Sequence, residues 1–156
     1  MSEPAPRILV IGYGNAGHCD DGLGPALAER IEALALPGVT VESDFQLAIE
    51  HAHSASQYDV VVFADAAADL KGDAPFYLRP VQPAAERPGF SHTISPAAVL
   101  HLAAECFGAH PRGLLLGIRP VDLTSFADGL TPEAEANLAA ALAALRAAIA
   151  SGQLAR

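Results

Sequence analysis

Residues 8–24, Ile8-Leu9-Val10-Ile11-Gly12-Tyr13-Gly14-Asn15-Ala16-Gly17-His18-Cys19-Asp20-Asp21-Gly22-Leu23-Gly24, constrain the chain more than any other segment. The aliphatic run at its head reads as a strand buried on both faces, as in a parallel sheet covered by helices. Closely spaced glycines then turn the chain, and two adjacent carboxylates follow. In form the glycines match the Gly-x-Gly-x-x-Gly dinucleotide fingerprint. A dinucleotide site, however, needs the helix to open within the glycine turn, so that free N–H groups meet the pyrophosphate. Here helical periodicity begins only after Gly24-Pro25, and Asp20 and Asp21 would repel the anion unless a metal stood between them. The segment points to a functional site, and away from a nucleotide.

The rest of the chain alternates between the two periods of secondary structure. Strands are predicted at residues 7–12, 39–42, 58–65, 76–81 and 113–119, the third a β-branched run ending in Asp65. The proline of Phe76-Tyr77-Leu78-Arg79-Pro80-Val81 places the fourth at a sheet edge. Helices are predicted at 25–34, 45–54, 96–107 and 132–150, the last two opened by Ser95-Pro96 and Thr131-Pro132. Leu138, Leu142 and Leu145 give the last helix a packing face. Residues 80–90 read as a surface loop beside the site. Such alternation predicts a single-domain three-layer α/β/α sandwich over residues 1–156, with a mostly parallel central sheet of about five strands and residues 1–6 flexible.

Composition excludes several function classes. With 156 residues, 51% hydrophobic and 17% charged, the chain suits one well-buried domain. A net charge of −9 opposes binding to nucleic acid or anionic membranes and favours a cationic target. Cys19 and Cys106 lack CxxC spacing, so no disulfide framework or zinc motif is implied. Without a leader-like start or a membrane-length apolar run, a soluble cytoplasmic protein is expected.

In an open α/β sheet, ligands collect beyond the carboxyl ends of the strands. Asp20 and Asp21 follow the first strand, Asp65 ends the third, and His92 precedes the third helix. Together they make a plausible divalent-metal site. Each also has a plain structural reading: Asp20 or Asp21 as a helix cap, Asp65 as a turn residue, His92 as a solvated loop residue. Other candidates are weaker. The Cys19 thiol beside His18 would have its ionisation opposed by the two aspartates. Glu50-His51-Ala52-His53 has no helical ligand spacing, and Cys106 reads as a small core residue.

Gly12-Tyr13-Gly14-Asn15, Asp20-Asp21-Gly22-Leu23-Gly24, Phe63-Ala64-Asp65-Ala66 and Gly129-Leu130-Thr131-Pro132 together resemble the nickel–iron hydrogenase maturation endopeptidases. The resemblance spans nearly the whole chain, and its most specific element is G-x-G-N-x(4)-D-[DE]-x-x-G. Asp44-Phe45-Gln46-Leu47-Ala48-Ile49-Glu50-His51 is similar to the branch of the family serving soluble, multimeric hydrogenases. The resemblance implies an endopeptidase that removes the C-terminal extension of a nickel-loaded [NiFe] hydrogenase large-subunit precursor. The nickel comes with that partner, and no organic cofactor is implied. It makes Asp21 and Asp65 metal-contacting carboxylates and asks for a histidine at the start of the third helix. The chain departs there, carrying Ala97 after Ser95-Pro96, so His92 is the substitute and His101 the reserve. Asp20 and Asp65 both remain candidates for general base beside Asp21. The absence of H-E-x-x-H argues against a self-contained zinc protease. Two alternatives are a nucleotide- or dinucleotide-binding domain and a non-catalytic, metal-binding maturation chaperone.

Overall fold

The computed structural model describes residues 4–86 and 93–155. The expectation for His92 lies outside the described residues, as do those for residues 1–3 and for the end of the loop at 80–90. The elements follow the predicted alternation: β1 (Ile8–Tyr13), α1 (Leu23–Ala33), β2 (Val39–Asp44), α2 (Glu50–Ala55), β3 (Val60–Ala66), β4 (Phe76–Val81), α3 (Pro96–Phe107), β5 (Arg112–Ile118) and α4 (Pro132–Ala150). A single 3-10 turn, Cys19–Gly22, lies between β1 and α1.

The sheet order is β2-β1-β3-β5-β4. All neighbours are parallel except β4, which runs antiparallel on the outer side of β5. Pro80 therefore sits on an edge strand, where its missing N–H breaks no ladder. Alternate residues of the central strands enter opposite cores, which is why these strands read as continuous apolar runs. Val10, Val62 and Leu116 pack against Leu27 and Ile31 of α1 and Leu138 and Leu145 of α4. Leu9, Ile11, Val61 and Phe63 pack against Ala55 of α2 and Val99, Leu100 and Ala103 of α3. The three-layer sandwich expected from sequence is the observed fold. Among the described residues, no helix is long and apolar enough to cross a membrane.

Helix boundaries follow local chemistry. Ser95 and Thr131 accept hydrogen bonds from the amides of Ala98 and Ala134, each with proline at the next position. Helix α2 is shorter than the predicted 45–54, because side chains hold residues 45–49 in a loop. The Phe45 amide donates to Asp44 Oδ1 at 2.7 Å and the Ala48 amide to His51 Nδ1 at 2.9 Å. Leu47 anchors this loop in the core. His51 is thus a buried loop-fixing residue.

The glycines of the opening segment serve close packing. A Cβ on Gly12 would strike the carbonyl oxygen of Gly24, and one on Gly24 would strike that of Tyr13 and lie 2.5 Å from that of Ala64. The first turn of α1 therefore rests directly on β1 and β3. At Gly17, by contrast, a Cβ would meet only Asn15 Oδ1 at 3.3 Å. We expect Gly24→Ala to destabilise at or above the top of the roughly 1–3 kcal/mol typical of overpacking. Gly17→Ala should cost less than about 1 kcal/mol. Thermal unfolding of the two variants checks this contrast.

Candidate active site

The two adjacent aspartates face opposite ways. Asp20 is fully buried. Its Oδ2 accepts from the amides of Val121 at 2.8 Å and Asp122 at 2.9 Å, and from the Thr131 hydroxyl at 2.8 Å. Its Oδ1 accepts from the Thr131 amide at 2.8 Å. Burial alone would raise its pKa, yet the amides of Asp122, Thr131 and Val121 and the Thr131 hydroxyl overcome that and hold it below the ordinary value. Both oxygens accept hydrogen bonds from within the protein, and Asp20 ties the β5–α4 loop to the turn after β1. Parallel backbone bonds, Cys19 N–H to the Ala127 carbonyl and Ala127 N–H to the Gly17 carbonyl, complete the seam.

Asp21, one residue on, is only half-buried and accepts from the Asn15 amide at 2.8 Å. Asp65, at the carboxyl end of β3, lies close enough for the Asp21 charge to raise its pKa. Burial is the larger cause, and the two together outweigh the Ala66 amide and Tyr13 hydroxyl, pushing Asp65 up from 3.8 to about 6. Tyr13 follows the Gly12–Ala64 register pair, which sets it beside Asp65. Burial first, and then the Asp65 charge, raise the Tyr13 phenol far above its usual value, so it stays a neutral donor. Sequence reasoning missed Tyr13. Its signal was an aromatic hydroxyl ending β1 at the level where Asp65 ends β3.

Asp21 and Asp65 thus form a carboxylate pair at the sheet's carboxyl edge. Among the described residues, no three His, Cys, Asp or Glu side chains are grouped to hold a metal ion. His101 lies apart, lining a hollow of about 300 Å³ with Ile49, Glu86, Ile94, Ala98 and Leu102. Cys19 is buried at φ 53°, and burial, then the charges of Asp20 and Asp122, raise its thiol pKa. Cys106 is exposed on the last turn of α3, not in the core as expected.

The loop also lacks a phosphate cradle. The amides of Gly14, Asn15, Gly17, His18, Cys19, Asp20 and Asp21 all donate to acceptors within the protein. None of these is left for an anion, unlike the free N–H groups of a nucleotide-binding turn.

Comparison with known proteins agrees. No family model matches the chain. The hydrogenase expression/formation protein HupM of Azotobacter chroococcum mcd 1 is 34% identical over 153 residues, covering 92% of this chain and 71% of HupM. This chain belongs to the hydrogenase maturation proteases. The hydrogenase maturating endopeptidase HybD from E. coli superposes with a TM-score of 0.71 at 28% identity, over 93% of each chain. The [NiFe] hydrogenase maturation protease HycI from Thermococcus kodakarensis KOD1 shares the fold, with a TM-score of 0.69 at 23% identity over 92% of this chain and 91% of its own. Like its relatives, this maturation protease is a peptidase. Its Asp20–Thr131 contact joins two of the motifs that carried the family resemblance.

Asp20 and Asp65 should respond to pH in opposite senses. The lowered pKa of Asp20 stabilises the fold above the ordinary carboxylate value of 3.8, and that contribution is lost as pH falls through its folded value. The raised pKa of Asp65 gives a contribution present below 3.8 that is lost as pH rises through about 6. We expect Asp20→Asn to cost roughly 3 kcal/mol at pH 7, since its amide group places a donor among donors. Asp65→Asn should stabilise by on the order of 1–3 kcal/mol at pH 8 and by nothing at pH 4. Denaturant unfolding of the metal-free proteins across this range checks both.

Proposed function

We propose that this maturation protease removes the C-terminal extension of a [NiFe] hydrogenase large-subunit precursor, and that it recognises the precursor by the nickel already bound there. The observation that carries this reading is a pair of carboxylates close enough to interact, Asp21 and Asp65, at the open end of a covered sheet. Two carboxylates alone hold a divalent ion poorly. They add usefully to an ion whose other ligands belong to the substrate, so an empty precursor would gain little from the cleft. His92 is the imidazole we assign to the same ion. Its place rests on the family resemblance. The overall charge of −9 suits a target presenting an exposed cation.

Hydrolysis needs the scissile peptide held beside an activated water. With Asp20 consumed by the fold, the water's proton falls to Asp21 or Asp65. The substrate's nickel supplies Lewis acidity to the water or the carbonyl. Both cysteines are free, in keeping with the reducing cytoplasm in which we place the reaction.

The test is intact-mass measurement of a nickel-loaded precursor incubated with the protein, beside a nickel-free precursor and Asp21→Asn. The variant keeps an oxygen for the Asn15 amide while losing the charge. Loss of a discrete C-terminal peptide is expected only with nickel and the wild-type protein, and Asp21→Asn should be slower by about 100-fold or more. Nickel-dependent complex formation without a mass change would point to a non-cleaving chaperone and overturn the proposal.

A further inference from the structure

Tyr77 is a polar side chain beside the carboxylate pair that the reading above leaves without a task. It lies on β4 opposite Gly117 of β5, and Gly117 is itself opposite Asp65 of β3. The three therefore form one row across the sheet at its carboxyl edge. Gly117 has no side chain, and the Tyr77 ring occupies the space. A Cβ there would strike the Tyr77 Cζ and lie 2.7 Å from its hydroxyl oxygen. Instead of standing out from β4, the ring lies across β5 toward β3. Strands in a sheet are about 4.8 Å apart, so a hydroxyl over Gly117 stands one strand from Asp65. The Asp65 charge reaches Tyr77 and adds to its raised pKa, behind burial and the opposed effects of Arg79 and Asp69.

Arg79 fixes the ring from outside. Its guanidinium carbon stacks 4.0 Å from the Tyr77 ring centroid, and its Nη2 donates to the Tyr77 oxygen at 3.1 Å. That bond uses a lone pair of the phenol and leaves its proton to be given elsewhere. Among the described residues the proton's acceptor is Asp69 Oδ1 at 3.5 Å, the outer limit of a hydrogen bond. Tyr77 is thus a polarised donor, placed by Arg79 at the mouth of the cleft and weakly engaged.

We propose that the Tyr77 hydroxyl donates to the carbonyl oxygen of the scissile peptide and stabilises the oxyanion formed there, with Arg79 as its positioning residue. The inference rests on the peptidase reading above. When water attacks the carbonyl carbon, the carbonyl π pair moves to oxygen, and the Tyr77 O–H shortens its bond to that oxygen. A cleft carboxylate takes the water's proton. As the C–O double bond re-forms, the C–N bond breaks and its pair stays on nitrogen, which receives that proton. The products are a new carboxyl terminus and a free amine, and Tyr77 keeps its proton throughout. Such a donor acts mainly in the transition state, so its loss lowers kcat more than it weakens binding.

The test uses the nickel-loaded precursor with wild-type protein, Tyr77→Phe and Arg79→Met, reading kcat, KM and nickel-dependent complex formation by native mass spectrometry. Tyr77→Phe preserves the ring over Gly117. It should lose about 100-fold in kcat, with KM and complex formation changed less than about threefold. Arg79→Met, on an exposed side chain, should lose about 3- to 10-fold in kcat. Wild-type kcat in Tyr77→Phe, or a rise in KM that accounts for the whole defect, would overturn the assignment of Tyr77 and leave the peptidase reading intact. If Tyr77→Phe melts well below the wild type, Arg79→Met decides, and an unchanged kcat there overturns the proposal. Failure of the wild-type protein to cut overturns the peptidase reading itself.

Discussion

A buried negative charge with no cation beside it among the described residues organises this protein. Asp20 sits at zero exposure and is compensated by backbone amides and the Thr131 hydroxyl, with the Cys19 thiol donating more weakly to its Oδ1 at 3.8 Å. Each amide and the hydroxyl come from the loop between β5 and α4, so that loop has no freedom to leave the turn after β1. Moving the carboxylate would leave several partly buried N–H groups unpaired at once. The turn is therefore stiff where it must be, and Asp21, the next residue, inherits a fixed direction into the cleft.

Adjacent identical residues thus do opposite work because of where their donors lie. Asp20 meets a ring of N–H groups and is held ionised. Asp65, on the neighbouring strand, meets burial and a like charge, and its ionisation is resisted. Between them Asp21 is half-exposed, with one amide partner. A cleft built this way keeps carboxylates available for an incoming cation while the fold itself asks for none.

Much of the architecture was legible because the relevant signals are local. The β-branched run ending in Asp65, the Ser95-Pro96 and Thr131-Pro132 helix starts, and the glycine spacing of the first turn each name their structure through short-range sterics. Pro80 marked an edge strand correctly, though nothing local says that β4 runs antiparallel; its direction is set by its partner β5. What motifs alone do not show is which contacts each residue makes. Asp20 is indistinguishable from Asp21 in sequence, since its partners lie about a hundred residues away. The shortened α2 follows from His51 and Asp44 capturing loop amides, and the exposure of Cys106 from which side of α3 faces the sheet. Tyr77 and Gly117 become a pair only once β4 and β5 are in register. Asp21 and Asp65 were placed at one sheet edge because the carboxyl ends of parallel strands converge whatever the loops do.

The order of the strands in space also dictates the order in which the cleft can be assembled. Strand β4 precedes β5 in the chain but pairs with nothing else, so Tyr77 and Arg79 have no platform until β5 has joined β3. The turn bearing Asp21 is likewise unsecured until Thr131 arrives, 111 residues after Asp20. Contacts of such separation form late, after the entropy of closing long loops has been overcome. During synthesis the amino-terminal half would hold its carboxylates on a loose turn and a half-built sheet. The last third of the chain turns these parts into a cleft, which makes the protease competent only as a completed molecule.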